Sequence, residues 1–557
     1  MQGPRFFSVL NDQMTPQLQC VELSSSFQIP FLQIIGLPGP EVSEAKERVR
    51  AAVEAAGFEF PRQRIVLNLA PAGVKKRGTG LDLAMALSIL NLAEAPKDQS
   101  HWIAWAELGL DGALKPAGSL LRMLHAALKH GIANVLVDHA SYPDALEKLA
   151  LLLSAEEKPA TPPRIAPARN LAEAWEWVAR GPEAWKERQT ARSVGCSSGN
   201  GSLPIADVPI SAAAPVTCAP VTVGSAPQIQ CRSVQGLMPL APSLERSLGI
   251  AAAGRHHLLL LGSRGVGKSH ALDWRIALEP FARPEVQIAQ GLLDELFNRP
   301  PGDGAGRDDH RQIRKVGMQV RPAALGGRLQ NGSLAPGEFS LAHGGLLIAD
   351  ELPEWPRDSR EALREPLENR TITLTRAGGG ASVLPADFAL AATGNFCPCG
   401  GWPHEFGRPV TDDAPSNAPP PRCRCRPAVK QAYLARLSGP ILDRIDLLIQ
   451  VRPLPPGSAS LGPRKIQERI HQTQARLRRQ WGQISGSLSG SDLEALLSEH
   501  PSLMTNLAQN QTHSLRSRHK ILRLALTLAA WDDIPLPHSG HFLEATLLRP
   551  ESGGWSS

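Results

Sequence analysis

The run Gly262-Ser263-Arg264-Gly265-Val266-Gly267-Lys268-Ser269 follows directly on the apolar tetrad Leu258 to Leu261 and opens onto a helix-compatible segment. Few folds can use the pattern Gly-x4-Gly-Lys-[Ser/Thr] between a buried strand and a helix. Glycines at these positions let successive backbone N–H groups turn inward as a nest for phosphate oxygens. The N-terminus of the next helix adds a favourable dipole. Lys268 is then placed to reach the β- and γ-phosphates, and the Ser269 hydroxyl to ligate Mg²⁺. ATP and Mg²⁺ are therefore the expected ligands, held in an α/β nucleotidase domain.

Downstream, Leu346-Leu347-Ile348-Ala349 reads as a buried strand ending in Asp350-Glu351. On a strand next to the first, Asp350 is expected in the Mg²⁺ shell and Glu351 on the attacking water. A glutamate here predicts hydrolysis rather than binding alone. A third apolar strand, Phe388 to Thr393, ends at Asn395, whose amide is placed to orient water near a γ-phosphate. Between them, Ser359 to Asn369 reads as a helix. Thr371 to Arg376 and Ala381 to Leu384 flank Ala377-Gly378-Gly379-Gly380 as a β-hairpin.

A chain of 557 residues exceeds what one hydrophobic core serves, so several domains are expected. Residues 1–178 read as mixed α/β, with strand-like runs at Cys20 to Leu23, Phe31 to Ile35, Arg64 to Leu69 and Asn134 to Val137. Glu44 to Ala56 places Ala45, Val49, Ala52, Val53 and Ala56 on one helical face, with Glu47, Arg48, Arg50 and Glu54 mostly on the other. Leu81 to Leu92 reads as a second helix. Before it, Lys75-Lys76-Arg77-Gly78-Thr79-Gly80 is either an anion-holding helix start or a solvated turn. Residues 179–232 are rich in Ala, Ser and Pro without periodicity, which predicts a linker. Residues 233–455 then form the nucleotidase core and 456–557 an all-α lid. No apolar run approaches the roughly 18 residues of a membrane span, and Met1 to Leu10 lacks a signal-peptide core, so a cytoplasmic location without membrane contact is expected. The formal charge of +6 permits a polyanionic partner without requiring one.

Several longer stretches carry a resemblance. Pro336-Gly337-Glu338-Phe339-Ser340-Leu341-Ala342-His343-Gly344-Gly345, Asp350 to Glu354, Leu363 to Glu368, Asn395 to Gly400 and Ser438 to Asp446 resemble the Mg-chelatase-like AAA+ ATPases of the YifB/ComM family. Gly36-Leu37-Pro38, Glu47 to Ala52, Asn68 to Ala72 and Glu107 to Gly112 resemble that family's Lon-protease-like (ribosomal S5 domain 2-like) N-terminal domain. The resemblance implies a ring-forming motor, usually hexameric, with nucleotide between protomers. Asn395 then corresponds to sensor 1, Arg444 to an arginine finger acting on the neighbour's nucleotide, and Arg516 to the sensor-2 arginine of the lid. The hairpin from Thr371 to Leu384 resembles an insertion that lines the pore in related motors. The family's Arg-Pro-Phe-Arg-x-Pro-His-His stretch survives only as Arg321-Pro322, and Val234-Gln235-Gly236-Leu237 stands where Gly-Gln is favoured. No serine lies between Gly78 and Leu87, so peptidase activity is not expected.

Of eight cysteines, four cluster as Cys397-Pro398-Cys399 and Cys423-Arg424-Cys425. Four thiolates suit tetrahedral Zn²⁺, with His404 as a substitute ligand; reduced, unligated cysteines are the alternative. In the lid, Arg464 to Trp481 sets Ile466, Ile470, Leu477 and Trp481 on one stripe and Arg464, Lys465, Arg469, Arg476, Arg478 and Arg479 elsewhere. That basic face meets nucleic-acid phosphates, solvent or another subunit. The functional expectation is an ATP-driven ring motor acting on DNA, helicase-like or branch-migrating, in recombination or natural transformation. A Mg-chelatase motor subunit and a protein-remodelling ATPase are the alternatives.

Overall fold

The computed structural model describes residues 5–10, 16–71, 79–94, 100–155, 161–181, 237–280, 282–297, 313–330, 333–375, 381–401, 423–437, 439–452, 460–508 and 514–549. Lys75 to Gly78, the linker from residue 182 onward, Val234 to Gly236, the hairpin tip 376–380 and His404 lie outside them. The chain divides into two compact units, one drawn from residues 1–221 and 283–303, the other from 222–282 and 304–557. Among the described residues no helix is long and apolar enough to cross a membrane.

The first unit is built on a mixed seven-stranded sheet. Its strands are β1 (Phe6–Leu10), β2 (Gln17–Ser26), β3 (Phe31–Ile35), β4 (Arg64–Ala70), β5 (Trp102–Trp105), β8 (Asn134–Asp138) and β9 (Arg164–Ala168), in the order β3-β4-β2-β1-β5-β8-β9. A two-residue hairpin, β6 (Glu107–Leu108) with β7 (Leu114–Lys115), stands apart. Along β4, alternation turns Ile65, Leu67 and Leu69 into the core. They belong to one apolar cluster with Val42, Ala45, Val49, Ala52 and Val53 of α1 (Pro40–Ala55) and with α2 (Asp82–Ala93). Helix α2 is buried from Asp82 through Leu90, which explains its lack of a polar face. Gly80, just before it, lies against Trp105, where a Cβ would come within 2.5 Å of the indole ring.

Arg48 does not stay on the solvent face of α1. Its Nε donates to Asp82 Oδ2 at 2.8 Å, and the Asp82 side chain is only 1% exposed. Burial raises the Asp82 pKa against the opposing effect of the guanidinium.

Among the described residues, helices α3 (Leu120–His130), α4 (Tyr142–Ala155) and α5 (Leu171–Arg180) complete the leading stretch of this unit. The helix Pro284–Leu296 also belongs to it, although it follows the phosphate-loop motif in sequence. Leu292 joins the apolar cluster of α3 and α4, and Arg122 Nη2 donates to the Leu292 carbonyl at 2.9 Å. The carboxylate of Glu295 accepts from the backbone N–H groups of Leu121 (2.8 Å) and Arg122 (2.9 Å). Ser119, at the α3 N-cap, makes no side-chain cap bond, so a residue more than 170 positions downstream supplies it.

The second unit centres on five parallel strands, β10 (Leu258–Leu261), β11 (Ile313–Val316), β14 (Leu346–Ala349), β17 (Ala389–Gly394) and β18 (Leu447–Gln450). Their order is β11-β14-β17-β10-β18. Strands β10, β14 and β17 are buried along their whole length, as expected where both faces are covered. The strand carrying Asp350 is therefore not next to β10. Strand β17 separates them, with Leu258 opposite Ala391 on one side and Ile348 opposite Ala391 on the other. An apolar run tells which strands are internal, not which pair.

Short hairpins β12 (Gly327–Gln330) with β13 (Ser333–Pro336), and β15 (Thr371–Thr375) with β16 (Ala381–Pro385), project from this frame. The expected helix Ser359 to Asn369 is broken into Arg357–Glu361 and Arg364–Asn369. Pro366 accounts for this, since its ring cannot sit against the Ala362 carbonyl in a continuous helix. Among the helices that flank the sheet or pack beyond it are α6 (Pro242–Gly254), α7 (Lys268–Ala277), α8 (Pro463–Trp481) and α9 (Leu515–Trp531). The basic face of α8 is partly consumed internally. Arg469 donates to the Trp531 carbonyl (3.0 Å) and Arg476 to the Ala530 carbonyl (3.0 Å), closing the C-terminus of α9.

Removing the Arg48 guanidinium leaves Asp82 buried without its counter-charge. Arg48→Met is expected to destabilise the first unit by about 3–5 kcal/mol in urea unfolding, and Arg48→Met/Asp82→Leu to regain more than half of that loss. Equal midpoints for Arg48→Met and wild type would refute the pairing.

Candidate functional site

Gly265 and Gly267 hold φ of +76° and +99°, values that L side chains rarely adopt, and a Cβ at either would meet nothing within 4 Å. The phosphate loop thus curls around open space. Gly267 is the N-cap of α7, whose first residues are Lys268 and the exposed Ser269. The loop is fixed to the sheet where the Gly262 N–H donates to the Gly394 carbonyl at 3.2 Å. It is fixed again where the Arg264 N–H donates to the Gly400 carbonyl at 2.8 Å. Lys268 Nζ donates to the carbonyls of Gly262 (2.9 Å) and Ser263 (2.8 Å) and to Asn395 Oδ1 (2.9 Å). Val266, half-buried, packs on the core under the loop. Burial lowers the Lys268 pKa, and the neighbouring Glu351 and Asp350 carboxylates oppose that shift. An ammonium bound only to loop carbonyls and one amide oxygen, beside an open glycine cradle, fits a polyphosphate and its magnesium.

Asp350 and Glu351 follow β14, and both are half-buried. Their orientation depends on Thr393, which the sequence does not mark except as a hydroxyl in an otherwise apolar strand. Thr393 Oγ1 donates to Asp350 Oδ1 at 2.6 Å and accepts the Glu351 N–H at 2.8 Å. Glu351 sits at φ 49°, a left-handed conformation that costs a non-glycine residue about 1–2 kcal/mol. Because β17 lies between β14 and β10, Thr393 and Asn395 reach the carboxylates on one side and Lys268 on the other. Lys268, Ser269, Asp350, Glu351 and Asn395 therefore gather at the C-terminal edge of the sheet.

Arg444 and Arg516 do not join them. Leu447 pairs with Leu258 at the start of β10, so Arg444, three residues earlier, lies at the N-terminal edge. The phosphate loop begins only after Leu261, a strand length of roughly 10–13 Å away. Arg444 Nη2 and Arg516 Nη2 both donate to the carboxylate of Glu368, and Arg444 Nη1 donates to the Pro440 carbonyl at 2.7 Å. Lys520 of α9 holds the segment from beneath, donating to the Arg444 carbonyl (2.5 Å) and to Asp446 Oδ1 (2.6 Å). Glu368, given no role by the sequence beyond its place in the Leu363 to Glu368 resemblance, is thus the group that brings the two arginines together.

The four clustered cysteines lie beside the phosphate loop, their sulfur atoms all within 4.8 Å of one another.

Two family models match the chain, one described as magnesium chelatase, subunit ChlI, over residues 241–459, the other as subunit ChlI of Mg-chelatase over residues 21–141. The Escherichia coli uncharacterised protein YifB is 28% identical over 555 residues, covering 95% of this chain and 93% of that protein. The Salmonella typhimurium YifB is 28% identical over 91% of this chain and 89% of its own length. The Haemophilus influenzae competence protein ComM is 29% identical over 92% of this chain and 90% of its own. With both units matched and the relatives spanning most of the length, the chain belongs to the Mg-chelatase-like AAA+ ATPase family of YifB and ComM.

Proposed function

We propose that the protein is an ATP-hydrolysing ring motor whose catalytic site is completed by a second copy and whose substrate polymer is DNA. The observation that carries the proposal is the separation of its charges: the phosphate loop and carboxylates occupy one edge of a parallel sheet, the paired arginines the other. A side chain at the N-terminal edge cannot reach its own phosphate loop, but it can meet that of a neighbour stacked head to tail, as in a closed ring. Six copies are the expected ring.

In this arrangement the loop N–H groups and Lys268 hold the β- and γ-phosphates, and Asn395 keeps Lys268 aligned. Ser269 and Asp350 hold Mg²⁺, which supplies positive charge to the phosphate oxygens. Glu351, set by Thr393, orients the attacking water. The neighbour's copies of Arg444 and Arg516 leave Glu368 and neutralise charge developing on the γ-phosphate, so turnover depends on assembly. The first unit is read as the Lon-like domain of the family, without peptidase function.

The DNA part is supported by the competence role in the name of the Haemophilus influenzae relative and by the exposed Arg464, Lys465 and Arg479 of α8. The hairpin β15–β16 is read as facing the ring's channel. Helicase-like or branch-migrating movement fits such a motor. Purified protein is expected to hydrolyse ATP faster with branched or single-stranded DNA and to shift labelled DNA when ATP is present. Absence of both would leave the chelatase-type or protein-remodelling motor.

Glu351→Gln is expected to bind ATP while losing at least about a hundredfold in hydrolysis; an unchanged rate would remove Glu351 from the mechanism. Lys268→Ala and Arg444→Ala are each expected to be inactive alone. Mixed in equal amounts they regain up to about a quarter of the wild-type rate per chain, because that fraction of random interfaces pairs an intact loop with an intact arginine. No recovery in stable mixed assemblies would overturn a site shared between copies.

A further inference from the structure

Two short stretches of chain meet beside the phosphate loop, one running from Phe396 to Gly401 and the other from Cys423 to Arg426. Cys397 Sγ lies 3.1 Å from Cys399 Sγ and 3.2 Å from Cys423 Sγ, and Cys399 and Cys423 are 3.6 Å apart. Cys425 completes the group, with all four sulfurs inside 4.8 Å. None of these separations approaches the roughly 2.05 Å of a disulfide. Tetrahedral zinc with Zn–S bonds of about 2.3 Å has sulfur–sulfur edges of about 3.8 Å, and the four sulfurs, at 3.1 to 3.6 Å for three of the pairs and all within 4.8 Å, bracket that figure to within about 1 Å. Cys397 and Cys423 are buried, and the Gly401 N–H points at Cys399 Sγ from 3.3 Å, the kind of donor that supports a metal-bound thiolate.

The same stretch touches the nucleotide site twice. Asn395, two residues before Cys397, receives Lys268 Nζ, and the Gly400 carbonyl, one residue after Cys399, receives the Arg264 N–H. Gly400 stands at φ +69°, and a Cβ there would lie 2.4 Å from Arg264 Cγ, so only glycine allows the approach.

We propose that Cys397, Cys399, Cys423 and Cys425 bind one Zn²⁺ and that this centre clamps the phosphate loop, through Gly400 and Asn395, in the shape that accepts nucleotide. The four thiols release their protons to solvent on binding, and no oxidation state changes. The zinc site stands on the sulfur geometry alone, whereas its effect on nucleotide rests on the proposed ATPase function. Without metal, the 397–401 turn loses its only covalent tie to 423–425 among the described residues, and the loop contact at Gly400 loosens.

The test uses the full chain purified under reducing conditions. Elemental analysis is expected to find about one zinc per chain in wild type and in Lys268→Ala, and less than about a tenth of that in Cys397→Ser/Cys423→Ser. Gly400→Ala keeps all four thiols, so it is expected to retain zinc while binding a fluorescent ATP analogue at least about tenfold more weakly than wild type. Stripping wild-type zinc with a chelator is expected to weaken that binding similarly, with recovery on adding Zn²⁺. Wild type carrying no zinc, or retaining only a small fraction after addition of Zn²⁺, overturns the metal centre. One zinc per chain with analogue affinity unchanged by stripping and by Gly400→Ala overturns the clamp. One zinc per chain with no analogue binding by wild type at all leaves the metal centre standing and removes the nucleotide function instead.

Discussion

The shared direction of the five strands in the second unit fixes nearly everything else about the site. Parallel strands expose their C-terminal ends at one edge and their N-terminal ends at the other, and helices must cover both faces. Every group gathered around the glycine loop is delivered from a C-terminal end: the loop from β10, the carboxylates from β14, Asn395 from β17. The arginines come from what precedes β18 and from the start of α9. Reversing β18 alone would carry the segment before it, with Arg444, to the edge where the glycine loop lies.

The arginine edge is itself set on buried charge. Asp446 accepts the His257 N–H at 2.8 Å as well as the Lys520 ammonium, and His256 lies alongside, bonded to Thr527 Oγ1 at 2.7 Å. Burial pushes both histidines down to about 4, so each is neutral at physiological pH. Burial opposes ionisation of Asp446, but the Lys520 ammonium, which also donates to it, holds the carboxyl well below the usual carboxylate range. Lys520 belongs to the lid helix α9, so the lid, the Asp446 turn and the Arg444 carbonyl form one bonded assembly. Such a buried pair is costly to break by removing one partner, which keeps the arginine segment in register with the lid.

Much of this was legible in residues. The strand-loop-helix order of the phosphate loop and the strand ends before Asp350 and Asn395 lie where their patterns imply, because each depends on short-range chain geometry, and the two Cys-x-Cys pairs meet across 24 to 26 positions. What was not legible depends on distant partners. Strand order placed β17 between β10 and β14, since uniformly apolar strands carry no pairing code. Thr393 counted only as the end of an apolar strand, and Glu368 only as the end of a resembling stretch; their partners lie 43 and 76 or more positions away. Arg48 sat on the polar stripe of α1, yet a long side chain can leave its stripe to meet a buried acid. Arg469 and Arg476 looked free for a polyanion, and the open carbonyls of a neighbouring helix end took them first.

The Pro284–Leu296 helix gives the molecule a property that a linear domain map hides. The first unit is drawn from two separate stretches of chain, and it borrows Leu292 and Glu295 from beyond the phosphate loop. A gene fragment encoding only the leading residues would leave the α3 amides uncapped and a hole where Leu292 belongs. The two halves are therefore not interchangeable cassettes: neither recombination nor cloning can move the leading module intact without carrying part of the motor's sequence along.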